Sequence, residues 1–271
     1  MLYSSLFVAA QLGLLASAIP APQAPSGTSV APPAPSASSN GTTLPKPMDD
    51  STTSPDLKGP NALAGNKQII EALQSAATEK DRINLITDGK DFVYDFNDAP
   101  KSAITMGKGG HTVKADREVF PALIGTGVSM TLGFLGPCGF NTPHTHPRSS
   151  EINVVVKGSL ITEFTVENGA KTITNKLNEN QMTVFAQGAL HTEFNPGCTD
   201  AQFVAGFASE DPGVQQAAQT FFNLDNDIVE AALGQDSIDG ATLEKFRSMI
   251  PANVATGVEK CLKQCGISKT A

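Results

Sequence analysis

The chain has 271 residues, enough for one large domain or two small ones, and it is acidic, with 19 Lys and Arg against 27 Asp and Glu for a net charge of −8. That balance lacks the basic footprint of non-specific nucleic-acid binding, and 17% charged residues are too few for a coiled coil or a charge-driven disordered chain. The 24 Gly and 18 Pro point to many turns.

Charge is absent from the front of the chain, where Lys46 is the first charged residue. Leu2–Leu15 is an apolar run, shorter than the roughly 20 residues that span a bilayer. It ends in Ala16-Ser17-Ala18, the small-x-small pattern of a signal-peptidase site. Residues 1–18 therefore read as a secretory signal peptide, although the start amine supplies its only positive charge. A buried N-terminal helix is the alternative, and the composition of residues 19–60 argues against it. That stretch holds Pro-x-Pro steps, Ser-Ala-Ser-Ser and Thr-Thr, with too little apolar surface to offset the entropy of ordering. It reads as an extended, disordered linker. Asn40-Gly41-Thr42 is an N-glycosylation acceptor within it, and the Ser/Thr/Pro mixture suits O-glycosylation; a bare spacer is the alternative. No later stretch is apolar enough to span a membrane, and no apolar tail for a lipid anchor follows Gly266. The expectation is a soluble, exported protein.

Residues 61–271 read as one domain. Ile69, Ile70, Leu73, Ala76 and Ala77 follow helical spacing, which predicts one amphipathic helix over Asn66–Asp81. From about 91 to 210 the pattern turns to short β-rich runs: Val128–Leu135, Ile152–Val156, Leu160–Val166, Met182–Phe185 and Phe203–Phe207. Such spacing indicates a sandwich or barrel. Asn168-Gly169 predicts a type I′ hairpin turn. Helices return over about 225–266: Asp225 or Asn226 can cap Asp227–Leu233, Gly234 closes it, Ala241–Ile250 ends at Pro251, and Val254, Val258, Cys261, Leu262 and Cys265 form the stripe of a last helix. The fold expected is mainly β, a barrel with helices at both ends.

Of four histidines, three sit in one pattern: Gly139-Phe-Asn141-Thr-Pro-His144-Thr-His146-Pro-Arg-Ser-Ser-Glu151, then Gln187-Gly188-Ala-Leu-His191. Alternate strand residues share a face, so His144 and His146 aim together. The turn Pro147–Ser150 resets the parity of Glu151, and His191 closes the site from a distant strand. Three neutral imidazoles and a carboxylate suit Mn, Fe or Zn, and thiolate-seeking metals poorly. Zn would be nearly saturated by four ligands, whereas Mn(II) or Fe(II) would keep about two positions open. The alternative of ordinary core histidines does not explain why three of four share one pattern.

Those two stretches resemble the paired motifs of the cupins, and their wording is similar to the germins, germin-like proteins and spherulins. The resemblance covers roughly residues 83–233. It implies a jelly-roll β-barrel holding a metal, usually Mn(II), with Fe or Zn as alternatives, on His144, His146, Glu151 and His191. It also implies secretion, wall association and a homo-oligomer, with a small-molecule substrate or superoxide as the reactant. Activities of the family include oxalate oxidase and superoxide dismutase, and some members have no settled activity. The leading expectation is a Mn-dependent oxidoreductase; the alternatives are a non-catalytic metal-binding wall protein and a metal lyase or isomerase on a sugar or small acid. Asn141 matches an active-site Asn of oxalate-oxidising germins, against the reading of a turn-stabilising Asn before Thr-Pro. Those germins carry a second Asn where this chain has Thr131, which points to weak oxalate oxidation. Three motif positions depart from the family: Cys138 and Asn180 replace glycines, and Ala186 a proline. Glu193 shares a face with His191 and reads either as a supporting acid or as a solvated or ion-paired strand residue. His111 reads as an ordinary surface histidine.

Export places all four cysteines in an oxidising compartment. In a regular helix Cys261 and Cys265 lie about 5–6 Å apart at Cβ, beyond disulfide reach unless the helix unwinds at Gly266. If shared ligation sets the strand of His144 beside that of His191, Cys138 faces Cys198. A cross-strand Cys138–Cys198 disulfide is the expectation.

Overall fold

The computed structural model describes residues 59–234 and 240–268. The expected signal peptide, the linker as far as residue 58 and the acceptor Asn40 lie outside the described residues. Among the described residues, no helix is long and apolar enough to cross a membrane.

Two short helices come first, α1 (Lys67–Ser75) and α2 (Glu79–Leu85). The single helix expected over Asn66–Asp81 is thus broken. Asn66 caps α1 through its side chain, and Ala76 is already extended. Thr78 then starts a second helix, its hydroxyl oxygen accepting from the Asp81 amide at 3.2 Å and donating to the Asp81 carboxylate at 2.7 Å. The Thr-x-x-Asp pattern is the signal for that break. Leu73, Ile86 and Ile124 bury the pair against the domain.

Ten strands follow: β1 (Ile104–Gly107), β2 (Gly110–Ala115), β3 (Ser129–Leu135), β4 (Gly139–Thr145), β5 (Glu151–Lys157), β6 (Ser159–Thr165), β7 (Ile173–Asn178), β8 (Met182–Phe185), β9 (Leu190–Phe194) and β10 (Ala201–Phe207). After them come β11 (Gln215–Gln216), α3 (Ala217–Phe221), α4 (Asn226–Leu233), α5 (Gly240–Met249), β12 (Ala255–Thr256) and α6 (Glu259–Gln264). Asp225 caps α4 and Gly234 closes it, as the sequence indicated. The last helix is shorter than its apolar stripe suggested, because Val254 lies in a bend just before β12 and α6 starts only at Glu259.

The strand pairings are antiparallel throughout the described residues. One sheet runs β1-β2-β3-β10-β5-β8; the other runs β11-β4-β9-β6-β7, with β12 also on β4. The result is the expected mainly-β jelly roll. Inward residues alternate along each strand, and Leu135, Val155, Leu160, Leu177, Ala201 and Phe203 fill one end of the interior. Phe203 packs over Gly133, where a Cβ would lie 2.1 Å from its ring.

The Asn168-Gly169 turn joins β6 to β7, with the Ala170 amide bonded to Glu167 O at 3.1 Å. It is not type I′: Gly169 has φ 86°, but Asn168 is not among the residues with positive φ. Two other residues without glycine's freedom do take positive φ, Cys138 at 58° and Asn180 at 63°. These are two of the positions where the resemblance led to the expectation of glycine, and both take the left-handed backbone that glycine adopts most readily.

Both cysteines of the expected bridge are paired, but not with each other. Cys138 bonds Cys261 and Cys198 bonds Cys265, with Cα separations of 5.7 and 5.3 Å. His144 does face His191, but the β4–β9 ladder shifts between Asn141 and His144, so Asn141 faces Glu193. Beyond Phe194 the chain turns, with Asn195 holding the Gly197 amide and Thr199 O. The turn takes Cys198 off the ladder, and the C-terminal helix α6 with its capping residue supplies the partner for both cysteines.

Candidate metal centre

β4 carries His144 and leads to His146, the turn after it brings Glu151 to the start of β5, and β9 supplies His191. All four are buried, with exposures of 2, 8, 2 and 2%. One ligand atom from each lies within 4.8 Å of every other. The Nε2 atoms of His146 and His191 both stand 3.1 Å from Glu151 Oε2. Phe185 stacks on His191 at 4.2 Å between ring centroids, and Phe207 packs on His146 at 4.6 Å.

Backbone carbonyls set the rings. Nδ1 of His144 lies 2.8 Å from Thr142 O, that of His146 2.5 Å from Gly213 O, and that of His191 2.9 Å from Ala189 O. A carbonyl can only accept, so each Nδ1 carries the proton and each Nε2 points at the shared centre. With the rings neutral, three ring nitrogens and a carboxylate oxygen converging this closely would repel, and a cation among them, a metal ion or a proton on an Nε2, removes the repulsion. The donor set fits a divalent first-row metal.

The electrostatics agree. Burial, with help from neighbouring His191, pushes His144 down to about 3, so its ring stays neutral. Burial acts to raise Glu151, but hydrogen bonds from His146 and His191 outweigh it and hold the carboxyl well below the usual range. Burial acts to lower His191, yet its bond to Glu151 raises it above an ordinary histidine.

Asn141 is buried in β4, its Nδ2 3.4 Å from His144 Nε2 and its Oδ1 without a partner among the described residues. It points to the centre rather than stabilising a turn. Thr131, Asn141, His144, His146 and Glu151 line one cavity of about 530 Å³. Glu193 is not solvated: it is 0% exposed, and burial pushes it up to about 8. Asn153, also 0% exposed, donates to Glu151 Oε1 at 3.1 Å and Glu193 Oε1 at 3.2 Å, joining the two carboxyls. The motif does not single out Asn153, although its place two residues after Glu151 puts it on the same strand face. His111 lies away from the site, stacked on Phe134 at 4.5 Å.

The sequence profile of the family described as Cupin matches residues 96–238. The chain belongs to the cupin family. It is 44% identical to spherulin-1A of Physarum polycephalum over 205 residues, covering 76% of this chain and 82% of that protein. A putative germin-like protein of Oryza sativa subsp. japonica is 31% identical over 202 residues, 73% of this chain and 88% of its own. Among solved structures, an oxalate oxidase superposes with TM-score 0.54 at 25% identity, covering 61% of this cupin and 83% of the oxidase.

Proposed function

We propose that this cupin is an exported metal protein that holds Mn(II) on His144, His146, Glu151 and His191 and acts as an oxidoreductase on superoxide. The observation that carries the reading is the convergence of three Nε2 atoms, each fixed by a carbonyl behind it, with one carboxylate at a cavity. Manganese, when bound, supplies one-electron chemistry and open coordination positions. The protein's own groups shape what reaches it. Asn141 offers an amide donor beside the ligands, and Phe185 and Phe207 shield the imidazoles from water. The similarity to an oxalate oxidase structure supports redox chemistry at such a site, while Thr131 argues against oxalate as the main substrate.

Export is supported by the pairing of all four cysteines, which an oxidising compartment permits. The signal peptide, linker, Asn40 glycan and wall association belong to the same reading. So does a homo-oligomer. The outer face of β3, β10, β5 and β8 is largely apolar, with Lys157 at the end of β5 opposite Gln202, and Ile152, Met182 and Val184 are 51, 60 and 56% exposed on it. The outer face of the other sheet bears Glu163 and Lys176.

Metal analysis with superoxide and oxalate assays on one purified sample tests the reading. Expected are about one Mn per chain and dismutation exceeding oxalate oxidation. Zn at full occupancy, which cannot change oxidation state, would overturn the oxidoreductase. Mn without turnover of either reactant would leave a metal-binding extracellular protein.

A further inference from the structure

The strand that carries His144 is incomplete on its own. Between Asn141 and His144 its pairing with β9 shifts, and on its other edge β12 pairs with Gly139 and Phe140 while β11 pairs with His144 and Thr145. Thr142 falls in the gap on that edge. Its amide is satisfied by a side chain from 111 residues later: Asn253 Oδ1 accepts from it at 2.8 Å. The same oxygen accepts from the Thr142 hydroxyl at 3.2 Å, and Gln216 Oε1 contacts that hydroxyl as well. The carbonyl of Thr142 in turn orients His144 through Nδ1. Asn253 also lines the cavity with His144, His146 and Glu151.

The segment bearing Asn253 is seated firmly. Val254 is 0% exposed within the barrel core, and its carbonyl accepts from the Gly109 amide at 3.0 Å. The slot admits no side chain on its far wall: a Cβ on Gly107 would lie 2.0 Å from Val254 O, and one on Gly109 1.8 Å from Ala255 O. A few residues on, Cys261 and Cys265 tie α6 to Cys138, which directly precedes β4, and to Cys198.

We infer that the C-terminal segment is a working part of the metal centre, with Asn253 as a positioning residue that acts on His144 through Thr142. This rests on the proposed metal assignment and adds a residue that no local motif marks. A side chain that orients a ligand ordinarily changes metal affinity about 10–100-fold when removed.

The test is Mn(II) titration of the full-length chain bearing Asn253→Leu or Asn253→Asp. Leucine keeps the branched four-atom skeleton and removes the acceptor, whereas aspartate keeps an oxygen where Oδ1 sits. Expected are Mn(II) binding about 10–100-fold weaker in N253L, near-normal binding in N253D, and faster exchange of the Thr142 amide in N253L alone. Binding in N253L as tight as in the unmodified chain would overturn the inference, as would equal losses in both variants. If the unmodified chain takes up no metal, the functional reading fails by itself. The nitrogen-15 shifts of His144 in the metal-free proteins then decide the positioning role. A changed Nδ1–H signature in N253L, restored in N253D, supports it; an unchanged signature in N253L overturns it.

Discussion

One end of the barrel interior is apolar and the other is polar, and the same strands build both. Along β5 the inward positions run Glu151, Asn153, Val155, and along β6 Leu160 is followed by Thr162. At the apolar end, Leu135, Val155, Leu160, Leu177 and Phe203 pack with no side-chain polar atom to satisfy. At the other end, Asn141 Oδ1, Asn153 Oδ1, Thr162 Oγ1 and Glu193 Oε2 are buried without hydrogen-bond partners among the described residues. Unpaired buried polar atoms cost about 1–3 kcal/mol each. Stability and chemistry are thus segregated along single strands: one end holds the fold together, and the other carries groups that a stability optimum would not choose.

The largest effect expected from breaking this division lies at the polar end. His144→Ala or His191→Ala should abolish stoichiometric metal, a larger loss than the roughly 10–100-fold that removing an orienting partner costs, since losing one of four protein ligands leaves a water-rich site. The metal-induced rise in melting temperature should vanish with it, while the metal-free proteins melt close to the unmodified one. Unchanged metal content and melting temperature in both variants would refute the ligand assignment.

Phe203→Ala probes the apolar end. Removing the ring that covers Gly133 should cost about 3–5 kcal/mol, read by denaturant unfolding. Below the transition, the variant should lose far less metal affinity than His144→Ala, because Phe203 lines the cavity but supplies no ligand atom. A loss of affinity rivalling that of His144→Ala would show that the two ends are not separable.

Protons sharpen the contrast further. In the metal-free site, His191 is raised by its bond to Glu151 and holds a proton that a metal must displace. His144, lowered to about 3, has none to lose near neutrality. Metal uptake below the raised value of His191 should therefore release the proton that His191 holds. Affinity should climb about tenfold per pH unit as pH rises toward that value and level off above it. Calorimetry in two buffers of different ionisation enthalpy reads the proton count. Zero release at about pH 6, below the ordinary histidine value, would mean that the Glu151–His191 pair is neutralised in some other way.

The polar end is legible in the sequence because ligands must share strand faces at fixed spacings, which His144, His146, Glu151 and His191 display. Left-handed backbone is partly legible at Asn180, because asparagine is enriched in that region, whereas the residue type at Cys138 gives no such signal. What sequence does not supply is long-range partnership. The expected disulfide pairing fails because a ladder register extrapolated from His144 and His191 does not survive the shift at Asn141 and the turn at Asn195. Glu193 is ambiguous in sequence for a related reason: its strand face is clear, but not that β6 sets Thr162 directly across from it and closes off water. The α1–α2 break, by contrast, is written locally in Thr78 and Asp81 and outvoted by the apolar spacing around it.

The smallest expected effect concerns which reactant the polar end favours. Thr131 on β3 lines the cavity with Asn141, and its cross-strand neighbours are Lys114 and Ala205. Threonine cannot offer the paired donor and acceptor of an amide. Lys114 does not stand in for it, because its ammonium is engaged by Asp116 at 2.7 Å and Glu118 at 2.9 Å. Ala205 beside it leaves space for a longer side chain. Thr131→Asn should therefore add one orienting contact to a dianionic substrate, of about 1.5 kcal/mol for a hydrogen bond to a charged group. That raises oxalate oxidation about tenfold if the contact is made in the transition state. Superoxide, far smaller than the cavity, has little to gain from a second amide, so dismutation should change by less than about twofold. Parallel assays of both activities on T131N decide it. Robust oxalate oxidation by the unmodified protein, indifferent to this substitution, would show that substrate choice is set elsewhere in the cavity.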